Sequence, residues 1–223
     1  MKELIRANKG FILFMLLFGV FRTAVADWNP IPSGSMRPNL LEGDVVLVNR
    51  LAFDLKVPLT NVVLARLGEP ARGDIVIFKS PKDGTRLIKR LVGLPGDVVE
   101  MRDERLVING QVSSYDLIGA VPEEVGSSGK TTTALQLVET SGARQRPILV
   151  MPQIQAARNF GPVLVPQGQF MMLGDNRDNS ADSRFIGFVP RALLVGRAER
   201  VLVSADIKGN WMPRGSRFLK ALE

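Results

Sequence analysis

Two hydroxyls stand two residues apart in Pro32-Ser33-Gly34-Ser35-Met36, and Lys89 lies further on in Arg86-Leu87-Ile88-Lys89-Arg90. The chain has no histidine and no cysteine. For a nucleophilic enzyme, those absences exclude a Ser-His-Asp triad, a cysteine nucleophile and a His/Cys zinc cluster. A serine would then have to be activated by a lysine, a known variant of the triad logic. In extended backbone, the Ser33 and Ser35 side chains lie on one side. One hydroxyl could attack while the other donates to an oxyanion. A polar turn accounts for the same residues, because Ser, Gly and Pro are turn formers.

Lys89 adds to the first reading. In a strand, Leu87, Lys89 and Leu91 share one face, and Ile88, Arg90 and Val92 share the other. An ammonium between two leucines loses hydration and its pKa falls. A general base needs that fall to run from about 10.4 to roughly 8. The competing reading is a snorkelling lysine, its stem on the leucines and its head in water. A third stretch, Gly174-Asp175-Asn176-Arg177-Asp178-Asn179-Ser180-Ala181-Asp182-Ser183-Arg184, offers hydroxyls and carboxylates to orient a lysine and pair with Arg90. As an exposed or calcium-like loop it would use Asp178, Asn179 and Asp182, but the EF-hand spacing is absent. Gly126-Ser127-Ser128-Gly129-Lys130-Thr131 fails as a phosphate loop, since Glu124 stands where the first glycine belongs. Its Ser127 and Lys130 also spell S-x-x-K, without the K-T-G and S-D-N partners.

The elements that must hold these residues read as β. Short branched runs at Asp44–Asn49, Asp74–Phe78, Leu87–Val92, Asp97–Glu100, Leu106–Ile108, Phe170–Leu173 and Leu193–Val203 are separated by Gly-Asp turns. Asn109-Gly110 is a strong hairpin signal. Helical periodicity is weak after residue 27. The expected fold is mainly β, an antiparallel catalytic domain. From Gln111 to Pro162, Ser, Thr, Gly and Gln accumulate, which reads as an inserted subdomain or long excursion.

At the N-terminus, Lys2, Arg6 and Lys9 precede the twelve apolar residues Gly10–Phe21. Extended to Ala26, the segment makes roughly 25 Å of helix, nearly spanning a bilayer if Arg22 snorkels to the far interface. The basic residues would lie on the cytoplasmic side, with Trp28 at the other interface. Basic residues, an apolar stretch and Ala24-Val25-Ala26 equally spell a cleavable signal peptide.

The 45% hydrophobic content is ample for one domain with a satellite. The net charge of +7 is dispersed, without the basic, aromatic-interleaved run of a nucleic-acid binder. A basic surface beside an anionic membrane is the more economical reading. The lack of cysteine fits a compartment where stray thiols would oxidise.

Together these stretches resemble the bacterial type I signal peptidases (leader peptidases). The matching blocks are Ile31 through Gly43-Asp44, Arg72-Gly73-Asp74-Ile75-Val76, Ile88 through Asp97, and Gly174 through Arg184 with Gly187-Phe188-Val189-Pro190. They stand in the family's order. The resemblance implies a membrane-anchored Ser/Lys endopeptidase that removes signal peptides from exported precursors, without metal or organic cofactor. Ser35 would be the nucleophile and Lys89 the base. Ser33 would join the Ser35 N–H in the oxyanion hole, and Ser180 would orient the lysine. Arg90, Asp175, Asp182 and Arg184 would buttress the site. Ile31, Pro32, Met36, Leu40, Leu87 and Ile88 would line the substrate pockets. Arg37, Asn39 and Leu87 depart from the usual pattern.

The resemblance also decides for an anchor at residues 1–27. It implies a catalytic β domain at 28–110 and 163–223, with 111–162 inserted. The expected partners are signal peptides and the lipid bilayer, with no nucleic acid, and the protein is expected to act as a monomer. The expected location is the bacterial inner membrane, N-terminus cytoplasmic and catalytic domain periplasmic. The alternatives are a specialised peptidase for a pilin or conjugation substrate, a non-catalytic membrane-tethered β module, and an autoproteolytic Ser/Lys repressor.

Overall fold

The structure is a computed structural model that describes residues 8–58, 60, 62–102, 105–126 and 130–222. Ser127, part of the S-x-x-K match, lies outside the described residues. A helix, α1 (Lys9–Ala24), leads into a body of strands. The principal sheet has seven strands: β1 (Ala26–Pro30), β2 (Asp44–Asn49), β5 (Ile75–Lys79), β6 (Arg86–Gly93), β14 (Gln169–Leu173), β15 (Val189–Pro190) and β16 (Leu194–Ser204). Their spatial order is β1-β2-β16-β5-β6-β14-β15, with antiparallel pairing throughout. A hairpin of β3 (Asp54–Lys56) and β4 (Val63–Arg66) stands beside it.

The branched runs become strands because they alternate. In β2, Val46 and Val48 face the core fully buried while the residues between are half-exposed. One core cluster gathers Ile31, Met36, Leu40, Val46, Ile75 and Ile77. A second holds Val76, Phe78 and Leu91, with Leu87 packed against it. Val76 is the residue opposite Lys89 in the β5–β6 register, so Lys89 rises from the leucine-rich face.

Two smaller sheets follow. β7 (Val98–Arg102), β8 (Arg105–Ile108), β9 (Gln111–Val112) and β13 (Phe160–Leu164) form one, in the order β13-β7-β8-β9. Asn109 and Gly110, both at positive φ (51° and 80°), make the β8–β9 turn that the Asn-Gly pair signals. Much of the Ser/Thr-rich stretch read as an inserted subdomain or long excursion is regular strand. It forms the antiparallel sheet of β10 (Ser114–Val125), β11 (Lys130–Ser141) and β12 (Arg144–Val150). These strands are partly exposed on both faces, so they lack the apolar alternation that betrays a half-buried strand.

This three-stranded arm, β10 to β12, is tied to the principal sheet through β12. Leu149 N donates to Asp175 O at 2.9 Å, and Arg177 N to Leu149 O at 2.8 Å. Glu139, wholly buried, receives Arg146, Arg177 and Tyr115. Burial pushes this carboxyl up, but the two guanidinium charges outweigh it and hold it down at about 2.

α1 has sixteen residues, about 24 Å of helix. It is exposed on every side, from Phe11 to Phe21. Ala26, counted in the expected spanning segment, begins β1 instead. Arg22 turns back to Asp27 at 3.1 Å and lies 4.2 Å over the Trp28 ring. Among the described residues, no helix is long and apolar enough to cross a membrane.

Candidate active site

Ser35 sits in a single 3₁₀ turn, Gly34–Met36, entered from extended Ser33. Met36 anchors the turn in the core with no exposed surface, which aims the Ser35 side chain away from the core toward β6. Two bonds from Asn176 fix the turn's backbone. Its N–H donates to Ser35 O at 3.1 Å and its Nδ2 to Gly34 O at 3.2 Å.

Lys89 Nζ donates to Ser35 Oγ at 2.7 Å and to Ile88 O at 3.0 Å. Lys89 is 3% exposed. Burial lowers its pKa from 10.5 to about 8, against the opposing pull of the Asp182 and Asp175 charges. The snorkelling alternative is thereby excluded: stem and head are both inside. Near neutrality a usable fraction of this amine is unprotonated and within reach of the serine proton. Ser33 Oγ lies 3.5 Å from Ser35 Oγ. The three side chains therefore bring together a hydroxyl that could attack, an amine that could take its proton and a second hydroxyl that could donate.

The 174–184 loop closes the far side. Arg90 grips Asp175 with a two-pronged contact, Nε to Oδ1 and Nη2 to Oδ2, both at 2.8 Å. Arg90 Nη1 also donates to Gly73 O at 2.7 Å. Asp182 accepts from Gly174 N at 2.9 Å and from Arg184 Nε at 2.8 Å. Planar guanidinium forks suit such contacts. Asp178, one of the calcium-like oxygens, is occupied by Met151 N and Arg158. Ser180 Oγ is buried and makes no hydrogen bond among the described residues, so Ser180 stands at the site without bonding Lys89. A Cβ on Gly174 would meet Ser180 Oγ at 2.2 Å and Ser35 O at 2.6 Å. Only glycine permits that close approach.

A cavity of about 580 Å³ opens beside Ser33, Ser35 and Lys89. Of the six expected pocket residues, Pro32 and Leu87 line it. Ile31, Met36 and Leu40 do not reach its wall. They are at most 2% exposed and belong to the core beneath, because the chain spends these apolar side chains on fixing the turn. Ile88 packs against that same core.

Three positions reveal what sequence reasoning missed. Arg37 bonds Glu42 at 2.7 Å and Glu123 at 2.9 Å. Asn39 Nδ2 donates to Asp175 Oδ2 at 2.7 Å and to Pro147 O at 2.9 Å. Glu123, on the arm, also accepts from Asn176 Nδ2 at 3.1 Å. Burial pushes the Glu123 carboxyl up despite Arg37 beside it. The two departures in the first block are thus joined to the arm and to the 174–184 loop. Their signal was the departures themselves, a charge and an amide where the resemblance leads one to expect apolar or threonine residues.

Residues 4–203 match the family described as "Signal peptidase, peptidase S26". The chain belongs to that family. It is 36% identical over 227 residues to the signal peptidase I of Pseudomonas fluorescens, covering 96% of this chain and 78% of the relative. The signal peptidase I of Pseudomonas aeruginosa is 34% identical over 231 residues, with the same coverage of both chains. That of Buchnera aphidicola is 32% identical over 242 residues, covering 93% of this chain and 77% of the relative. Membership in the S26 family makes the protein a serine endopeptidase.

Proposed function

We propose that this protein cleaves signal peptides from exported precursors by a Ser35/Lys89 dyad. The 2.7 Å contact from Lys89 Nζ to Ser35 Oγ, inside a buried site, carries that reading. The amine works when neutral. It takes the Ser35 proton as Oγ attacks the scissile carbonyl, and the charge on the carbonyl oxygen falls to Ser33 Oγ and the Ser35 N–H. The protonated amine then gives its proton to the leaving amine. In the second half it activates water against the acyl-enzyme.

Arg90, Asp175, Asp182 and Arg184 act as supports, and Ser180 flanks the base. Pro32 and Leu87 are apolar walls suited to small side chains such as alanine. We read residues 1–27 as an anchor that holds the enzyme beside membrane-bound substrates and so raises their effective concentration. Residues 28–110 and 163–223 form the catalytic domain, and the arm lies within 111–162. The exposed apolar surface of α1 supports the anchor, with Lys2, Arg6 and Lys9 on the cytoplasmic side.

The test is incubation of the purified chain with a precursor bearing an Ala-x-Ala site, followed by N-terminal sequencing of the product. Cleavage after the second alanine is expected. Ser35→Ala and Lys89→Arg should both be inactive with native circular dichroism, because a guanidinium cannot become a neutral base. Appreciable turnover by Lys89→Arg would refute the dyad.

A further inference from the structure

Strand β10 is largely exposed, and the one residue it buries is a carboxylate, Glu123. Its neighbours on that face, Val121 and Val125, pack on Ala134, Leu149 and Met151. An apolar side chain between the two valines would suit such a surface. A carboxylate there costs free energy unless it is paired and hydrogen-bonded. Both oxygens of Glu123 are engaged outside the arm. Oε2 accepts from Arg37 Nη1 at 2.9 Å, and Oε1 from Asn176 Nδ2 at 3.1 Å.

Asn176 carries this contact to the reactive turn. It is wholly buried, and its Nδ2 donates to Gly34 O at 3.2 Å as well as to Glu123. Its Oδ1 has no hydrogen-bond partner among the described residues. The amide is therefore oriented by its two acceptors. Turned over, it would set Oδ1 against a carboxylate and a carbonyl. The second acceptor bears on the chemistry. Gly34 O and the Ser35 N–H belong to one planar trans peptide unit and point opposite ways across it. Whatever fixes that carbonyl aims that N–H. The turn supplies one bond of its own to Gly34 O, from Arg37 N at 3.0 Å, and Asn176 supplies the other.

We infer that Glu123 is a positioning residue for the cleavage reaction: from the arm, and through Asn176, it aims the Ser35 N–H at the oxyanion that forms on attack. The inference rests on the Ser35/Lys89 reading of the site. It makes the arm a working part of the active centre. Glu123 also lines the catalytic cavity, so a direct contact with substrate is the competing role, and the two separate by experiment.

The experiment is a double-mutant cycle on the full chain in detergent, with kcat and KM measured on one Ala-x-Ala peptide across pH. Losing a backbone oxyanion donor outright costs about 10²–10³ in rate, so a misaimed one should cost less. Glu123→Ala and Asn176→Ala should each lower kcat about tenfold with KM little changed. The double variant should be no slower than Asn176→Ala alone, within about twofold, whereas independent effects would multiply to about a hundredfold. Lys89 answers to burial and to the Asp182 and Asp175 charges, so the pH midpoint should stay near 8 in every variant. Glu123→Gln keeps an acceptor for Asn176 and gives up the charge facing Arg37. It should lose melting temperature yet hold kcat within about threefold of wild type, a split that a merely structural role would not produce. Multiplying losses in the double variant, a rise in KM at unchanged kcat, or a glutamine variant as slow as alanine would each overturn the inference and leave the dyad standing. Cleavage by Ser35→Ala would overturn both.

Discussion

The pH dependence of cleavage follows from the burial of Lys89, and a substitution at Leu87 tests it directly. With a pKa of about 8 rather than 10.5, the neutral fraction at pH 7 is about 9% instead of about 0.03%, a gain near 300-fold. Only the neutral amine accepts the Ser35 proton, so kcat/KM should climb about tenfold per pH unit below 7 and level off above about pH 9. Leu87 lines the same cavity as Lys89 and occupies the same strand face. Leu87→Glu replaces an apolar wall with a hydrated carboxylate, which favours the ammonium and shifts its pKa up by about 1–3 units. A shift of one unit cuts the neutral fraction at pH 7 from about a tenth to about a hundredth, while at pH 10 the variant regains most of its rate. The assay is kcat/KM on one Ala-x-Ala peptide between pH 6 and 10.5. Leu87→Gln serves as the control, since it changes the pocket wall without adding charge. If the glutamate midpoint matched the glutamine midpoint, or moved to lower pH, the desolvated-base argument would be wrong.

The same linkage acts on stability. The unfolded chain binds the Lys89 proton more tightly, so folding stability should rise between about pH 8 and 10.5, a rise that Lys89→Met should abolish in denaturant titrations. Ser33→Ala should lower kcat about 10²–10³-fold with KM nearly unchanged, because its hydroxyl meets charge only after attack. Ser33→Thr should retain much of the rate, and a threonine variant no better than alanine in an intact fold would reduce Ser33 to a turn residue. Arg37→Ala removes the guanidinium from buried Glu123 and one of two cations from buried Glu42, which keeps Lys208 at 3.0 Å, and should destabilise toward the lower end of the roughly 3–5 kcal/mol for a broken buried pair, since Arg37 keeps 24% of its side chain exposed. Adding Glu123→Gln should restore part of the melting temperature; no restoration would show that the charges are not coupled. N-terminal sequencing of the protein from membranes should begin at or near Met1, and a start at Asp27 would identify Ala24-Val25-Ala26 as a cleavage site.

The catalytic sheet was legible because its strands are branched, alternating and closed by Gly-Asp turns. β2 spans the expected run, Asp44–Asn49, and β6 exceeds its expected run by a residue at each end. Lys89 was legible for the same reason, since period-two alternation puts it between leucines. The arm was not. Strands such as β11, with its run of threonines, are wetted on both faces, so hydrophobic patterning says little about them. Asn176 and Glu123 were invisible as site residues because each gains its role from a partner more than fifty positions away. Three of the expected pocket residues lie beneath the cavity wall for a related reason. Sequence gives apolar character but not depth, and Ile31, Met36 and Leu40 are deep.

The order in which the site's pieces occur along the chain has a consequence for its birth. Ser35 and Lys89 leave the ribosome early, while Asp175, Ser180 and Asp182 arrive some ninety residues after the lysine. Later still comes Arg217, which reaches back to Asp44 and to Asn39 O, both at 2.9 Å. Until those segments pack, the Lys89 amine is wet, protonated and unable to take a proton. A nascent protease should therefore stay silent until the residues through Arg217 have emerged and folded back on the Ser35 turn.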